Sequence, residues 1–193
     1  METRPARLLA PSLAASVTAY PQRSYGEGAY NRAMPWPEPV ERVAAFLRAA
    51  GAEARLEEFG AGTPTAQAAA EVIGCALEQI VKSLVLICDT RPVLALVPGD
   101  RRADPVKVAL AAGADHARVA RPPEVVAATG FAPGAVAPFP PRAGVAIFVE
   151  QTILSSTVVW VGAGSERHMA MLSPLELVRL TRGSTVDIVQ ESA

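Results

Sequence analysis

The chain has 193 residues, half of them apolar, which is enough for one domain with a substantial hydrophobic core. Its 18 basic and 19 acidic residues give a formal net charge of -1, so overall charge neither attracts the protein to nucleic acid nor excludes that partner. Any contact with RNA must therefore come from a local patch. No stretch approaches the roughly 20 apolar residues of a membrane span, and residues 4–19 lack the ordered segments of a signal peptide. We therefore expect a cytoplasmic protein.

Two cysteines, Cys75 and Cys88, lie in apolar segments. They have neither C-x-x-C spacing nor clustered histidines, which argues against a zinc site. We expect both to be small core residues and regard a disulfide as the weaker alternative.

Residues 1–38 have no sustained hydrophobic period and are interrupted repeatedly by proline and glycine. We expect them to form an irregular N-terminal extension, followed by one domain over residues 39–193. From Pro39 onward, apolar residues recur at helical spacing until Gly51 supplies a stop, which predicts the first helix.

The later elements are predicted from capping residues and short apolar runs. Thr65 and Asp104 are expected to cap helices, and Ser173 with Glu176 has the pattern of a capping box. The predicted helices are 39–50, 66–75, 105–112, 122–129 and 174–182, and the predicted strands are 54–59, 84–88, 93–97, 116–119, 144–149, 157–161 and 185–189. Strands 84–88 and 93–97 are separated by turn residues and should form an antiparallel hairpin. This pattern predicts an α/β fold of the α+β type, with a mixed, largely antiparallel sheet or partial barrel and flanking helices.

Lys82 lies two residues before an aliphatic run, Leu84–Cys88, that is typical of a strand buried on both faces. The lysine should therefore lie at the rim of the core. Burial lowers the pKa of an ammonium group, so its charge needs a polar partner or a ligand. Two interpretations remain open at this point: the stem packs while the ammonium reaches water, or Lys82 belongs to a binding site.

The segment 131–142 is too apolar for an ordinary solvated connection. Gly134 allows the backbone to approach a ligand closely with a free N–H, and Pro138 stiffens the other end. A proline-rich lid packed over the core explains the same residues equally well.

The run 161–168 begins like a dinucleotide-binding fingerprint, but Arg167 occupies the position of its third glycine. We therefore exclude a Rossmann site and interpret the run as a turn that leads to His168. A lone histidine is more often structural than catalytic, and His116 is expected to be exposed. Neither a nucleophile elbow nor a Walker loop is present, so no Ser-His-Asp or Cys-His pairing follows from the sequence.

Taken in chain order, these motifs resemble the YbaK family of aminoacyl-tRNA editing domains, which includes the insertion domain of bacterial prolyl-tRNA synthetases and free-standing relatives. The likeness covers roughly residues 40–190. Its parts are the helix at 65–71, Lys82 within 79–84, the segment 97–100, a G-x-x-x-P loop at 134–138, the Gly-Ala-Gly run 162–164 ahead of His168, and the ending at 177–181 and 186–188. Glu150 stands where many relatives carry aspartate.

The resemblance implies hydrolysis of the ester that joins a wrong amino acid to tRNA, with no metal or organic cofactor. Lys82 would hold the substrate's terminal backbone or carbonyl region by charge, and the loop at Gly134 would donate backbone hydrogen bonds to the aminoacyl end. His168 would line the amino-acid pocket. A water molecule or the substrate's own ribose hydroxyl would be the attacking group. The substrate-binding residues expected from the resemblance are Thr65, Ser83, Ala135, Val136, Pro138, Gly162, Ala163, Gly164 and His168.

We therefore expect a free-standing trans-editing deacylase, acting on a small amino acid such as alanine or cysteine on tRNA(Pro). Its partners would be the acceptor end of aminoacyl-tRNA and, as a further candidate, a synthetase. Arg101, Arg102 and Lys107 are candidate contacts with the tRNA end, although an ordinary solvated loop explains them equally well. The alternative is a catalytically weak module that binds a tRNA end or a small ligand in the same pocket.

Overall fold

A computed structural model describes residues 36–60, 62 and 65–191 of the chain. The predicted N-terminal extension, residues 1–38, lies outside the described residues except for its last three, Trp36, Pro37 and Glu38. The irregular character of that extension and the domain boundary stay predictions.

Within the described residues the fold contains five α-helices and eight strands, most of them at the predicted positions. The helices are α1 (Glu38–Ala49), α2 (Ala66–Ile73), α3 (Pro105–Ala112), α4 (Pro122–Thr129) and α5 (Pro174–Thr181). The strands are β1 (Ala54–Glu58), β2 (Ile80–Cys88), β3 (Arg91–Pro98), β4 (Ala117–Val119), β5 (Ala146–Glu150), β6 (Val159–Ser165), β7 (His168–Leu172) and β8 (Ser184–Val186).

Side-chain caps begin two of the helices at the predicted residues. The hydroxyl oxygen of Thr65 accepts the N–H of Ala68 at 3.1 Å, and a carboxylate oxygen of Asp104 accepts the N–H of Val106 at 2.8 Å. Each cap satisfies an N–H that has no partner inside its helix and contributes about 1 kcal/mol.

The capping box expected at α5 is only half formed. The Ser173 hydroxyl accepts the N–H of Glu176 at 3.2 Å, as predicted. The Glu176 carboxylate instead binds the Arg179 guanidinium at 2.6 Å and accepts the N–H of Glu53 at 3.1 Å. An arginine on the next turn and a neighbouring chain segment therefore compete successfully for the carboxylate that a full box requires.

The strands form one mixed sheet in the order β1–β7–β6–β2–β3–β5–β8, with β4 also paired to β2. Pairs β1–β7, β2–β3, β2–β4 and β6–β7 are antiparallel, and pairs β2–β6, β3–β5 and β5–β8 are parallel. The predicted β2–β3 hairpin and the predicted mixed sheet with flanking helices are confirmed.

Three strands, β2, β6 and β7, differ most from the sequence-based expectation. β2 begins at Ile80 rather than Leu84, because Ile80 and Val81 pair with Trp160 and Val161 of β6, about eighty positions further along the chain. Lys82 therefore lies within a strand rather than ahead of one. β6 extends through the glycines to Ser165, and the unpredicted strand β7 starts at His168.

The sheet is covered on both faces, as the continuous apolar run in β2 predicted. Along β3, Leu94 and Leu96 face a core cluster with residues of α1, α4 and α5. Their neighbours Val93, Ala95 and Val97 face a second cluster with α3 and the C-terminal segment. Burying each such Leu or Val side chain stabilises the fold by about 1.5–3 kcal/mol. A third, smaller cluster joins α2 to the end of the sheet near β6 and β7.

Candidate active site

A pocket of about 370 Å³ lies beside β2, within the size range of sites that bind small molecules. Its walls come from α2, β2, the loop between α4 and β5, and the β6–β7 hairpin. The lining residues are Thr65, Ala66, Ala69, Ile80, Val81, Lys82, Ser83, Leu84, Gly134, Val136, Gly162, Ser165, His168 and Met169.

The pocket exists because β2 changes neighbours along one of its edges. β6 pairs with this edge at Ile80 and Val81, and β4 pairs with it from Leu86 onward. Among the described strands, none pairs with residues 82–84 on that edge. The opposite edge of β2 is occupied throughout by β3. A gap three residues long is therefore built into the middle of the sheet, and Lys82 and Ser83 lie in it.

Lys82 is half-buried and held by the loop that follows β3. Its Nζ donates to the carbonyl oxygen of Gly99 at 3.0 Å and to that of Arg101. An ammonium has three N–H donors, so one remains for a ligand. Burial lowers the pKa of Lys82, the carboxylate of Asp100 opposes this shift, and the charge of Arg102 adds to it. The lysine is thus an anchored cation in the pocket wall rather than a charge that extends freely into water.

His168 is a buried residue of the same pocket, with only 3% of its surface exposed. Its Nδ1 lies 2.7 Å from the hydroxyl oxygen of Ser165. Burial lowers the pKa of His168, while the nearby carboxylate of Glu58 opposes that shift and Arg167 adds to it. The imidazole is therefore neutral near pH 7, where it can donate from one nitrogen and accept at the other.

Two buried polar atoms of the described chain have no hydrogen-bond partner, and both belong to this pocket. They are the Ser83 hydroxyl oxygen and His168 Nε2. A carboxylate oxygen of Glu58 lies 4.0 Å from Nε2, which is too far for a hydrogen bond. Buried polar atoms nearly always have a partner, so two unpaired atoms in one cavity indicate a site that a polar ligand or water completes.

The loop that contains Gly134 and Val136 packs so closely against β6 that the contact requires a glycine. A Cβ atom on Gly162 would lie 2.8 Å from the carbonyl oxygen of Val136, so only glycine permits this approach. Gly134 has a φ of +84°, a conformation that favours glycine, and it reaches the pocket lining. The N–H of Ala135 donates to the carbonyl oxygen of Ala132 at 3.0 Å. Ala135 is therefore not a free donor, and Gly134 and Val136 are the loop residues that line the cavity.

The remaining residues expected from the sequence divide into two groups. Thr65 lines the pocket while it caps α2. Buried beside the cavity, outside its lining, are Ala135, Pro138, Ala163 and Gly164. Sequence reasoning missed two lining residues. Ser165 is the last residue of β6, three positions before His168, and Met169 directly follows His168. Sequence reasoning also missed Trp36 and Glu58, which approach His168 from other elements and carry no motif that points to the site.

The basic residues considered for tRNA contact have different environments. Lys107 forms an ion pair with Asp187 at 2.9 Å, which links α3 to the C-terminal segment. Arg101 lies 3.5 Å from Asp100 and supplies a carbonyl oxygen to Lys82. Arg102 is exposed beside them. Only the Arg101–Arg102 pair therefore adjoins the pocket.

Other kinds of site were also considered for the described residues. They contain no group of three or more His, Cys, Asp or Glu side chains arranged to hold a metal ion. None of the helices they form has the length and apolar character to cross a bilayer. Cys88 is buried and Cys75 half-buried, both as free thiols, and His116 is exposed as expected.

Comparison with known proteins supports the resemblance found in the sequence. Residues 61–180, more than half of the chain, match the aminoacyl-tRNA editing domain family. A proline–tRNA ligase of Lactiplantibacillus plantarum is 32% identical over 107 residues, which cover 55% of this chain and 19% of the ligase. The chain thus spans about a fifth of the length of that relative.

Two further relatives are closer to this chain in length. A candidate Cys-tRNA(Pro)/Cys-tRNA(Cys) deacylase of Enterococcus faecalis, EbsC, is 26% identical over 125 residues, covering 64% of this chain and 76% of EbsC. The crystal structure of a candidate trans-editing enzyme for prolyl tRNA synthetase superimposes with a TM-score of 0.75 at 32% identity, covering 81% of this chain and all of the other. With its sheet, its pocket and its motifs in family order, the chain belongs to the aminoacyl-tRNA editing domain family.

Proposed function

We propose that the chain is a trans-editing hydrolase that removes a small, wrongly attached amino acid, such as alanine or cysteine, from tRNA(Pro). The observation that carries this proposal is the meeting of Lys82, Gly134 and His168, from three separate segments, at one pocket with two unpaired polar atoms. The names of the relatives, a Cys-tRNA(Pro) deacylase and a trans-editing enzyme, support the same substrate class.

In the proposed reaction, residues of the pocket position the ester and do not attack it. The remaining N–H of the Lys82 ammonium holds an oxygen of the 3′-terminal nucleotide or of the ester. Gly134 and Val136 supply backbone donors where negative charge develops on the carbonyl oxygen. Donors of this type typically lower a barrier by about 3–4 kcal/mol each, because they are already oriented before the reaction begins.

The attacking group is a water molecule, because attack by a ribose hydroxyl of the substrate would only move the aminoacyl group to the neighbouring ribose oxygen. The water oxygen adds to the ester carbon, and the C–O bond to the ribose then breaks. One proton of the water goes to the ribose oxygen, which leaves as the tRNA 3′-terminal hydroxyl, and the other goes to solvent. The amino acid leaves with a carboxylate that contains the water oxygen.

The pocket walls support a small amino acid. Ala69, Ile80 and Met169 contribute apolar lining to the pocket, and the His168 ring contributes a polar group. An apolar pocket distinguishes side chains chiefly by excluding those that are too large, and each methylene group contributes about 1–3 kcal/mol of discrimination.

The test is a deacylation assay of the purified protein on alanyl-, cysteinyl-, seryl- and threonyl-tRNA(Pro), with prolyl-tRNA(Pro) as the cognate control. We expect release of at least one small amino acid and little release of proline. Release from none of these substrates at high protein concentration would overturn the proposal.

The second candidate is a binding module with weak or no turnover. It is favoured by the fact that the pocket lining offers no acid or thiol nucleophile. Retention of mischarged tRNA by the protein, with the ester intact, would support this candidate instead.

A further inference from the structure

Trp36 contacts the pocket histidine from a segment that precedes the family match at residues 61–180. The centroids of the Trp36 and His168 rings are 5.8 Å apart, and the ring planes meet at 68° in an edge-to-face arrangement. This is a favourable geometry for two aromatic rings and restricts the rotation of both. The imidazole is thus packed by a side chain that no editing motif contains.

The backbone next to Trp36 is fixed against the hairpin that carries His168. The Pro37 carbonyl accepts the N–H of Val40 at 2.9 Å and starts α1, which Val40 and Val43 anchor in the core with no exposed surface. Gly164 of β6 has a φ of +97°, and a Cβ on it would lie 2.8 Å from the carbonyl oxygen of Pro39. The start of α1 and the β6–β7 hairpin therefore meet at a distance that only glycine allows.

The hydrogen bonds around Ser165 also favour one tautomer of His168. The Ser165 hydroxyl oxygen accepts the N–H of Arg167 at 3.1 Å and lies 2.7 Å from Nδ1. The hydroxyl proton has no other acceptor among the hydrogen bonds of Ser165, so directing it at Nδ1 gives it a partner, whereas an Nδ1–H donor would leave it unpaired. Nε2 then carries the proton, on the side of the ring where the Glu58 carboxylate lies 4.0 Å away.

We propose that Trp36 is a positioning residue of the editing site: together with Ser165 it fixes His168 as an Nε2–H donor for an acceptor atom of the bound aminoacyl group. This inference rests on the proposed function and adds a determinant of amino-acid preference. A buried donor that the correct substrate satisfies discriminates strongly, because a substrate without an acceptor leaves the donor unpaired. The orientation of the ring therefore controls how well the site tells one aminoacyl group from another.

The first experiment observes the imidazole without any substrate. The chain has two histidines, so ¹⁵N NMR of the full-length protein gives two ring spin systems, and exposed His116 serves as the internal reference. We expect His168 to be neutral at pH 7.5, with a protonated Nε2 and an unprotonated Nδ1. Trp36→Leu should change the ¹⁵N shifts and the titration midpoint of His168, and Trp36→Phe should largely restore them.

The second experiment measures kcat and KM separately on the panel of mischarged tRNAs. For Trp36→Leu we expect the ratio of kcat/KM between the best and the worst small substrate to fall roughly tenfold, with Trp36→Phe close to the wild type. Val43→Ala is the matched control, since Val43 belongs to the same helix and packs in the main core cluster. It should lower the thermal stability and leave the substrate ratio unchanged.

Two results would overturn the inference: a wild-type His168 protonated on Nδ1, or NMR signals and substrate ratios of Trp36→Leu that equal those of the wild type. If Val43→Ala changes the substrate ratio as much as Trp36→Leu does, the effect comes from general loosening and the inference also fails. An inactive wild type would refute the proposed function separately. The NMR result would still decide whether Trp36 and Ser165 determine the tautomer and orientation of the His168 imidazole.

Discussion

Glu150, at the end of β5, and His168, at the start of β7, are both buried polar side chains, but their hydrogen bonding differs. One Glu150 oxygen accepts the N–H of Ile188 at 2.8 Å, and the other accepts the N–H and hydroxyl of Thr152 at 3.2 Å. His168 has one nitrogen bonded and the other unpaired. A buried polar group whose hydrogen bonds are all made within the protein holds chain segments together. One with an unpaired donor or acceptor is suited to binding a ligand. From this comparison we expect the Glu150 region to serve stability and the His168 region to serve binding.

The largest effect is expected at Lys82. Lys82→Met keeps the apolar stem and removes the charge, so kcat/KM for deacylation should fall roughly 100-fold or more, because the ester loses a charged partner in the transition state. The other lysine of the chain, Lys107, is the matched control, since its charge pairs with Asp187 away from the pocket. Lys107→Met should retain nearly full activity. Equal activity of Lys82→Met and the wild type, with both folded by circular dichroism, would show that Lys82 has no part in the reaction.

Glu150→Gln tests the opposite side of the comparison. The amide cannot accept all the hydrogen bonds of the carboxylate, and a buried N–H left without a partner costs about 1–3 kcal/mol, so we expect thermal unfolding several degrees lower. Activity per folded molecule should remain. Glu38→Gln, which alters an exposed ion pair with Arg42, should leave the unfolding temperature almost unchanged. A stable but inactive Glu150→Gln would place this carboxylate in the reaction rather than in the fold.

A smaller effect is expected from pH at His168. Burial lowers the pKa of His168 in the folded chain from 6.5, so the unfolded chain binds a proton at this residue more tightly than the folded chain does. Stability from this group is therefore present above about pH 6.5 and lost as the pH falls below it. Unfolding temperatures from pH 8 to pH 5 should drop more steeply for the wild type than for His168→Gln. Parallel curves for the two proteins would contradict the assignment.

The smallest effect is expected at Ser83. Its hydroxyl oxygen has no partner in the described structure, so Ser83→Ala should leave the unfolding temperature unchanged or slightly raised. If the substrate forms a hydrogen bond with this hydroxyl, kcat/KM of Ser83→Ala should fall roughly twofold to tenfold, which corresponds to the loss of one ordinary hydrogen bond. A marked loss of stability would mean that the hydroxyl serves the fold, as Glu150 does.

Most of the fold was predictable because its signals are local. The Thr65 and Asp104 caps and the turn after Cys88 each lie within a few residues of the element that they define. The start of β2 and the existence of β7 were missed because both depend on pairing with β6, which no local pattern near Ile80 or His168 specifies.

The residues of the candidate site were proposed for a different reason. Lys82, Gly134 and His168 followed from the order of motifs rather than from their individual chemistry, and all three line the pocket. Trp36 could not be found in this way, because it is brought to His168 by the docking of α1 against Gly164, a tertiary contact with no motif of its own.

The gap beside β2 also limits what can enter. An unpaired strand edge normally invites another polypeptide to add as a strand and is a common origin of aggregation. Here the open edge is three residues long, roughly 10 Å at about 3.3 Å per residue, and β6 and β4 close it at the two ends. That length is too short for a peptide to pair in register, but it leaves room for a small ligand. The sheet thus leaves one short edge open to a small molecule while remaining closed to protein chains.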